Sequence, residues 1–259
     1  MNLRPEDFFD IGALSRHRVL FEGCVFVWEV LKRLPAYLRE HIRPLPSGVP
    51  LREPLPRGVI LCEGEVIPLS EVEAVEGRFY LRGEEIRGAV LHAGAILMDR
   101  EVELAPGVVV EPGALIYGPS WIGPNTQVRQ GAYVRGEVLA GEGCVIGHTT
   151  EVKRAVFLDG AKAGHFAYVG DSLLGRGVNL GAGTKLANLK LARGHIKVRL
   201  EGEVYDTGLR KFGAVLGDGV QTGCNSVTNP GTLVGPGSYI LPNVTAGPGV
   251  IPPRSIVRK

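Results

Sequence analysis

Apolar residues recur along this chain at two different spacings, and the change from one to the other divides it. In FVWEVLKRLPAYLREHI, Val27, Val30, Leu31, Leu34 and Leu38 stand three and four apart, which predicts an amphipathic helix with Pro35 as a kink. Prolines 44, 46, 50, 54 and 56 predict a stiff connector, and GVILCEGEVIPL and GRFYLRGEEI predict short strands with glycine turns. From about residue 86 the period becomes six. The clearest run, 104–133, reads LAPGVV, VEPGAL, IYGPSW, IGPNTQ, VRQGAY, each hexad opening on Leu, Ile or Val. The same phase carried backwards gives IRGAVL, HAGAIL and MDREVE; further registers start at Leu174 (LGRGVN, LGAGTK) and Leu216 (LGDGVQ, TGCNSV, TNPGTL, VGPGSY, ILPNVT).

A short strand that sends the first residue of each hexad inward, with a small or apolar residue four places on such as Val102, Val108 or Ala114, fills an interior from both. Gly or Pro-Gly between them supplies the tight corner, so three hexads close a triangular coil and coils stack as parallel sheets. A β-sandwich would space its turns about 8–12 residues apart. The chain therefore reads as a mainly β protein: a helical segment and Pro-rich connector (1–57), short β segments (58–85), and a parallel β-helix over 86–257. Three stretches break the period, 136–148, 150–171 and 187–212, and are expected to form loops on one face, where binding sites gather; the last is the longest insertion.

Composition agrees with a turn-rich repeat: 37 glycines and 18 prolines stand beside 17 aromatics, and 44% of residues are apolar. A net charge of +2 without a basic run argues against nucleic acid as a partner. Cys24, Cys62, Cys144 and Cys224 lie far apart with no CxxC spacing, which fits neither a zinc knuckle nor a disulfide framework and points to a reducing cytoplasm. MNLRPEDFFD lacks a secretory pattern, and no apolar stretch approaches the ~20 residues of a membrane span, so no membrane association is expected.

The richest polar stretch is EVKRAVFLDGAKAGHFAYVGDSLLGRGVNLGAGTKLANLK, 151–190. Its runs KAGHFAYVGD and GVNLGAGT closely resemble the acetyltransferase domain of the bifunctional glucosamine-1-phosphate acetyltransferase/N-acetylglucosamine-1-phosphate uridylyltransferase family, and the resemblance covers roughly 123–247. It implies a left-handed parallel β-helix, a homotrimer with active sites between subunits, acetyl-CoA as co-substrate with no metal required, and an amino-sugar phosphate or nucleotide sugar as the partner molecule. It implies that His165 is the general base that deprotonates the sugar amine, a role suited to an imidazole near neutral pH. Asn188 matches the asparagine that holds the ligand beside that base. Arg129 and Lys153 match positions that bind the phosphate or nucleotide end, as a guanidinium fork and an ammonium can. Tyr168 and Asn179 match sugar-contacting positions, Ala182 a position whose backbone contacts the acyl donor, and Cys224 a serine near the thioester.

The chain departs from that family in five respects. Cys224 is a weaker hydrogen-bonding group than serine. Leu189 follows Asn188 where the family has tyrosine, and ARGHIKVRLEGEVYDTGL is inserted before KFG. The C-terminal arm with its CoA-contacting arginine has no evident counterpart before Lys259. Residues 1–85 contain no glycine-rich loop of the kind a nucleotidyltransferase uses to hold a triphosphate, so this half of the family's chemistry is not expected; the inserted loop resembles single-chain relatives of sugar nucleotidyltransferases. The expected activity is N-acetyl transfer to an amino-sugar 1-phosphate in nucleotide-sugar biosynthesis, against a non-catalytic sugar-nucleotide-binding or assembly module. A zinc enzyme of the γ-class carbonic anhydrase type has in its favour only His148 and His165, seventeen residues apart.

Overall fold

In the computed structural model, which describes residues 2–14 and 16–258, the repeat forms the left-handed parallel β-helix that the resemblance implies, with about nine turns. Its three faces follow from the strand pairing. Face A stacks Ala89–Leu91, Val109–Val110, Gln127–Val128, Val145–His148, Lys162–His165, Asn179–Leu180, Gln221–Thr222, Tyr239–Ile240 and Ile256–Val257. Face B includes Tyr133–Arg135, the first halves of Glu151–Phe157 and Tyr168–Leu174, and Lys185–Leu186. Face C includes Ser120–Ile122, Val138–Ala140, the second halves of those two long strands, and Ala214–Leu216, Thr232–Val234 and Gly249–Ile251.

The interior is built as the hexads predict. Val110, Ile116, Ile122 and Val128 open successive hexads and are fully buried, and so are Val108 and Ala114 four places along. Register gives the coil length directly: Gln127 pairs with Val109 and Val145, 18 residues to either side, whereas Lys162 pairs with Val145 and Asn179 at 17. Asn179 next pairs with Gln221, 42 residues on.

These offsets correct two expectations. Of the three breaks in the period, only the last is a loop. In the first, 136–148, the strands keep the 18-residue register, Ser120 pairing with Val138 and Gln127 with Val145; in the second, 150–171, they continue because the coil loses one residue at a corner, Tyr133 pairing with Glu151 at an offset of 18 and Val138 with Ala155 at 17. The backward extension of the hexads is out of phase as well. Leu91 and Leu97 are the buried residues there, His92 is exposed, and seven residues rather than six separate Leu97 from Leu104, so one longer corner shifts the frame.

The predicted helix spans Glu29–His41 and continues through Pro35, burying Val30, Leu31, Leu34, Tyr37 and Leu38. It packs on the outside of face C. There Trp121, Leu139, Val156, Leu173, Val215 and Leu233 are register neighbours one coil apart and form an outward apolar column. The helix, Phe8, Phe9, Phe21 and Trp28 cover it together with Ile196, Val198 and Phe212 from the inserted loop, which forms a hairpin of Lys197–Leu200 and Glu203–Asp206. The segments of 58–68 add an antiparallel hairpin to the first strand of face A, so the parallel stack does not begin on an open edge.

Candidate active site

The corner between faces A and B brings together residues that are far apart in sequence. His148 and His165 are register partners at the ends of their strands. The backbone of the next coils continues the stack: Gly183 N donates to His165 O (3.0 Å), and Asn225 N donates to Ala182 O (2.8 Å). His148, His165, Ala182 and Cys224 therefore occupy equivalent places in four consecutive coils, and the 42-residue step places Cys224 beside Ala182.

Buried threonines hold this corner from inside. Thr150 Oγ1 donates to Ala163 O (3.0 Å) and accepts from Ala167 N (3.3 Å), which ties down the turn carrying His165. One coil on, Thr184 Oγ1 donates to Gly181 O (2.7 Å) and Gly181 N donates to Thr222 Oγ1 (3.1 Å). The His148 ring Nδ1 lies 2.9 Å from Gln130 O; that carbonyl accepts, so Nδ1 carries a proton. His165 and Cys224 are exposed, and Phe166, 57% exposed, stands beside both histidine rings at 5.4 and 6.4 Å.

Next to the histidine column the outer surface of face A carries Arg129, Gly147, Gly164, Gly181 and Gly223 in successive coils, a strip with no side chain beyond Arg129. Three of these glycines are required by packing: a Cβ would lie 1.8 Å from Gly164 O at Gly147, 2.5 Å from Gly223 C at Gly181, and 2.4 Å from Pro242 N at Gly223. Gly164 is different. Its φ is not left-handed and a Cβ would meet nothing within 4 Å, so neither the backbone nor its neighbours demand glycine beside His165. Asn179 is exposed on the same face, and the Arg129 guanidinium donates to Gln127 Oε1 at 2.9 and 3.0 Å.

The other expected residues form a second group on face B and its corner with face C. Lys153 is the register partner of Gly170, and a Cβ on Gly170 would lie 2.6 Å from both Tyr168 Oη and Asn188 Nδ2, so the phenol and amide converge over that glycine. Burial pushes the Tyr168 phenol up from its ordinary pKa, while a bond with Asn188 pulls the other way. Asn188, buried, donates through Nδ2 to Asp171 Oδ2. Arg135, beside Tyr133, donates to Glu151 at 2.6 Å. The eight expected residues thus divide, with Arg129, His165, Asn179, Ala182 and Cys224 on face A and its corner, and Lys153, Tyr168 and Asn188 across face B. His165 and Tyr168, three residues apart, link the groups.

Sequence reading passed over Asp171, Arg154 and Gly164. The signal was present for the first two, since charged residues stand at corners where the repeat favours glycine; the third is recognisable only from the space around it. A cavity of about 850 Å³ lies elsewhere, between the N-terminal segment and face C beside His17, Trp121 and Glu103. Among the described residues no three of His, Cys, Asp and Glu are grouped to hold a metal ion.

Residues 116–236 match the family model described as the GMPPB C-terminal domain. The chain is 34% identical over 149 residues to a bifunctional sugar-1-phosphate nucleotidylyltransferase/acetyltransferase of Sulfurisphaera tokodaii, covering 58% of this chain and 36% of that protein. It is 31% identical over 192 residues to the bifunctional protein GlmU of Synechococcus elongatus, covering 73% and 37%. A GlmU of Clostridium novyi is 29% identical over 218 residues, covering 81% and 42%, so the chain spans about two-fifths of the length of these relatives. Among solved structures, a UDP-N-acetylglucosamine acyltransferase from Campylobacter jejuni aligns at 18% identity and a TM-score of 0.38, over 62% of this chain and 69% of that one. The KAGH and GAGT signature thus stands within the stretch that matches the GMPPB C-terminal domain, in a chain similar to bifunctional sugar-1-phosphate nucleotidylyltransferase/acetyltransferases.

Proposed function

We propose that this protein transfers an acetyl group from acetyl-CoA to the amine of an amino-sugar 1-phosphate of the glucosamine 1-phosphate kind, as a step in nucleotide-sugar biosynthesis. In this reading His165 takes a proton from the amine, whose lone pair attacks the thioester carbonyl; the C–N bond forms, the C–S bond breaks, and the thiolate leaves as the protonated thiol. Arg129 and Lys153 hold the phosphate end, Tyr168 and Asn179 contact the sugar, and Asn188 keeps the acceptor beside His165. The observation that carries the reading is the corner column, in which a histidine, a small residue and Cys224 stack beside a glycine strip open to an extended molecule.

The two groups of site residues lie on different faces of the β-helix. Apposing the A–B corner of one protomer to face B of another would bring them together, which favours a symmetric ring, here a homotrimer. Thiol release from acetyl-CoA in the presence of glucosamine 1-phosphate tests the reaction. His165→Ala should lower the rate by about 10²–10⁴-fold; wild-type turnover no higher than that variant's would overturn it.

A second reading, a sugar-nucleotide-binding module without catalysis, draws support from the exposed Cys224, which makes no hydrogen bond through its sulfur where the resemblance expects serine. Calorimetric binding of a nucleotide sugar with no affinity for acetyl-CoA would favour it.

A further inference from the structure

At the corner between faces C and A, the left-handed turn positions are mostly glycine, among them Gly107, Gly143, Gly160 and Gly177. At the corner between faces B and C, three consecutive coils instead place Glu137, Arg154 and Asp171 there, with φ of 56°, 43° and 46°. Side chains at such angles are disfavoured, so these need compensation from what they touch. They touch one another. Arg154 Nε donates to Glu137 Oε2 at 2.6 Å, and its Nη1 lies 3.7 Å from Asp171 Oδ1. The next coil supplies Asn188, whose Nδ2 donates to Asp171 Oδ2 at 2.5 Å. Negative, positive, negative and amide groups thus follow one another along the corner.

Asp171 is 1% exposed and its Oδ1 has no hydrogen-bond partner. A buried carboxylate costs free energy that an apolar residue would avoid, so its presence calls for a role beyond packing. Burial pushes its pKa up from the ordinary carboxylate value, while the Asn188 bond and the charged groups facing it, Arg154, Lys153 and Lys211, pull the other way and favour the ionised form. An ionised carboxylate only accepts hydrogen bonds, so it selects the NH₂ end of the Asn188 amide and leaves the carbonyl oxygen for other partners.

We propose that Asp171 is a positioning residue: braced by the Glu137–Arg154 pair, its carboxylate locks the Asn188 amide so that Oδ1 is presented to the amine or a hydroxyl of the acceptor sugar. This rests on the reading of Asn188 as an acceptor-binding residue. The neutral, isosteric Asp171→Asn can pair with either end of the amide and removes the selection without removing the bond.

The experiment measures glucosamine 1-phosphate binding by calorimetry, which needs no acyl transfer, together with thermal melting. Asp171→Asn should weaken binding about tenfold while Tm stays level or rises, since a buried charge is lost. In the Asn188→Ala background the same change should have no further effect, because the amide it orients is gone. The reversed pair, Asp171→Asn with Asn188→Asp, again points an accepting oxygen outward and should bind better than Asn188→Asp alone; it carries the test if Asp171→Asn by itself does not fold. Wild-type affinity in Asp171→Asn, a full additional loss in the Asn188→Ala background, or a reversed pair no better than Asn188→Asp would each overturn the role of Asp171 alone. A wild-type protein that does not bind glucosamine 1-phosphate would overturn this role and the acceptor reading together.

Discussion

Gly164→Ala separates what the fold needs from what a ligand needs. Beyond its two chain neighbours the added methyl has no atom of the described residues within 4 Å and the backbone is not left-handed, so the native state accommodates it without strain. The unfolded chain loses conformational freedom, which raises stability by roughly 0.4–1 kcal/mol. For a chain of this size that is an increase in Tm of about 1–4 °C. If an acyl donor lies along the strip beside His165, however, the same methyl displaces it by about a bond length, and a misplacement near 1 Å costs on the order of 100-fold in rate. Thermal melting and thiol release from acetyl-CoA, measured on the same preparation, give the two numbers. Gly147→Ala is the control, because its Cβ would fall 1.8 Å from a backbone oxygen and Tm should drop. A Gly164→Ala protein that melts higher and turns over at the wild-type rate would refute the idea that ligand contact keeps this position small.

Two further outcomes are expected. Burial lowers the pKa of His17 to about 4 from an ordinary 6.5, with Arg16 adding to the effect, so the unfolded chain binds the proton first and stability falls as pH drops from 6.5 toward 4. The full effect is roughly 3 kcal/mol, and urea titrations of wild type and His17→Phe should diverge in that window; parallel pH dependences would count against it. Exposed Cys224 should react with a thiol reagent in the native state and be protected by acetyl-CoA, whereas Cys144, fully buried with its thiol pushed up to about 12, should react only after unfolding. Labelling of Cys224 at the same rate with and without acetyl-CoA would remove the donor from that corner.

The repeat was legible because a hexad is a local object: Val108, Ala114 and Val128 reveal their inward direction within six residues, and all three are buried. What was hidden depends on stacking. Trp121, Leu139, Val156 and Leu173 look unrelated until 17- and 18-residue coils align them into one apolar column, and that column is what positions the N-terminal helix. The alignment of Cys224 with Ala182 likewise needs the 42-residue step to be known. A seventeen-residue coil explains why 150–171 looked like an insertion: a single missing residue breaks a hexad count as completely as a loop does. The ladder from Glu137 to Asn188 was hidden for the same reason, since its members are one coil apart and only the left-handed corners of Glu137, Arg154 and Asp171 set those three off from surface charge.

The covering of face C also sets an order of events. Asp218 N donates to Phe8 O, and Asp10 N donates to Asp218 Oδ2, a contact across 208 residues. During synthesis, residues 8–10 emerge long before the coil that receives them, and the Glu29–His41 helix waits for Val156 and Leu173. The apolar column therefore grows coil by coil with its cover unable to close at the far end, a non-local step that makes folding slow and leaves partly made chains open to association through this face. Once Asp218 is in place, the N-terminal segment ties early and late coils together, so loss of a late coil should be felt at the first helix.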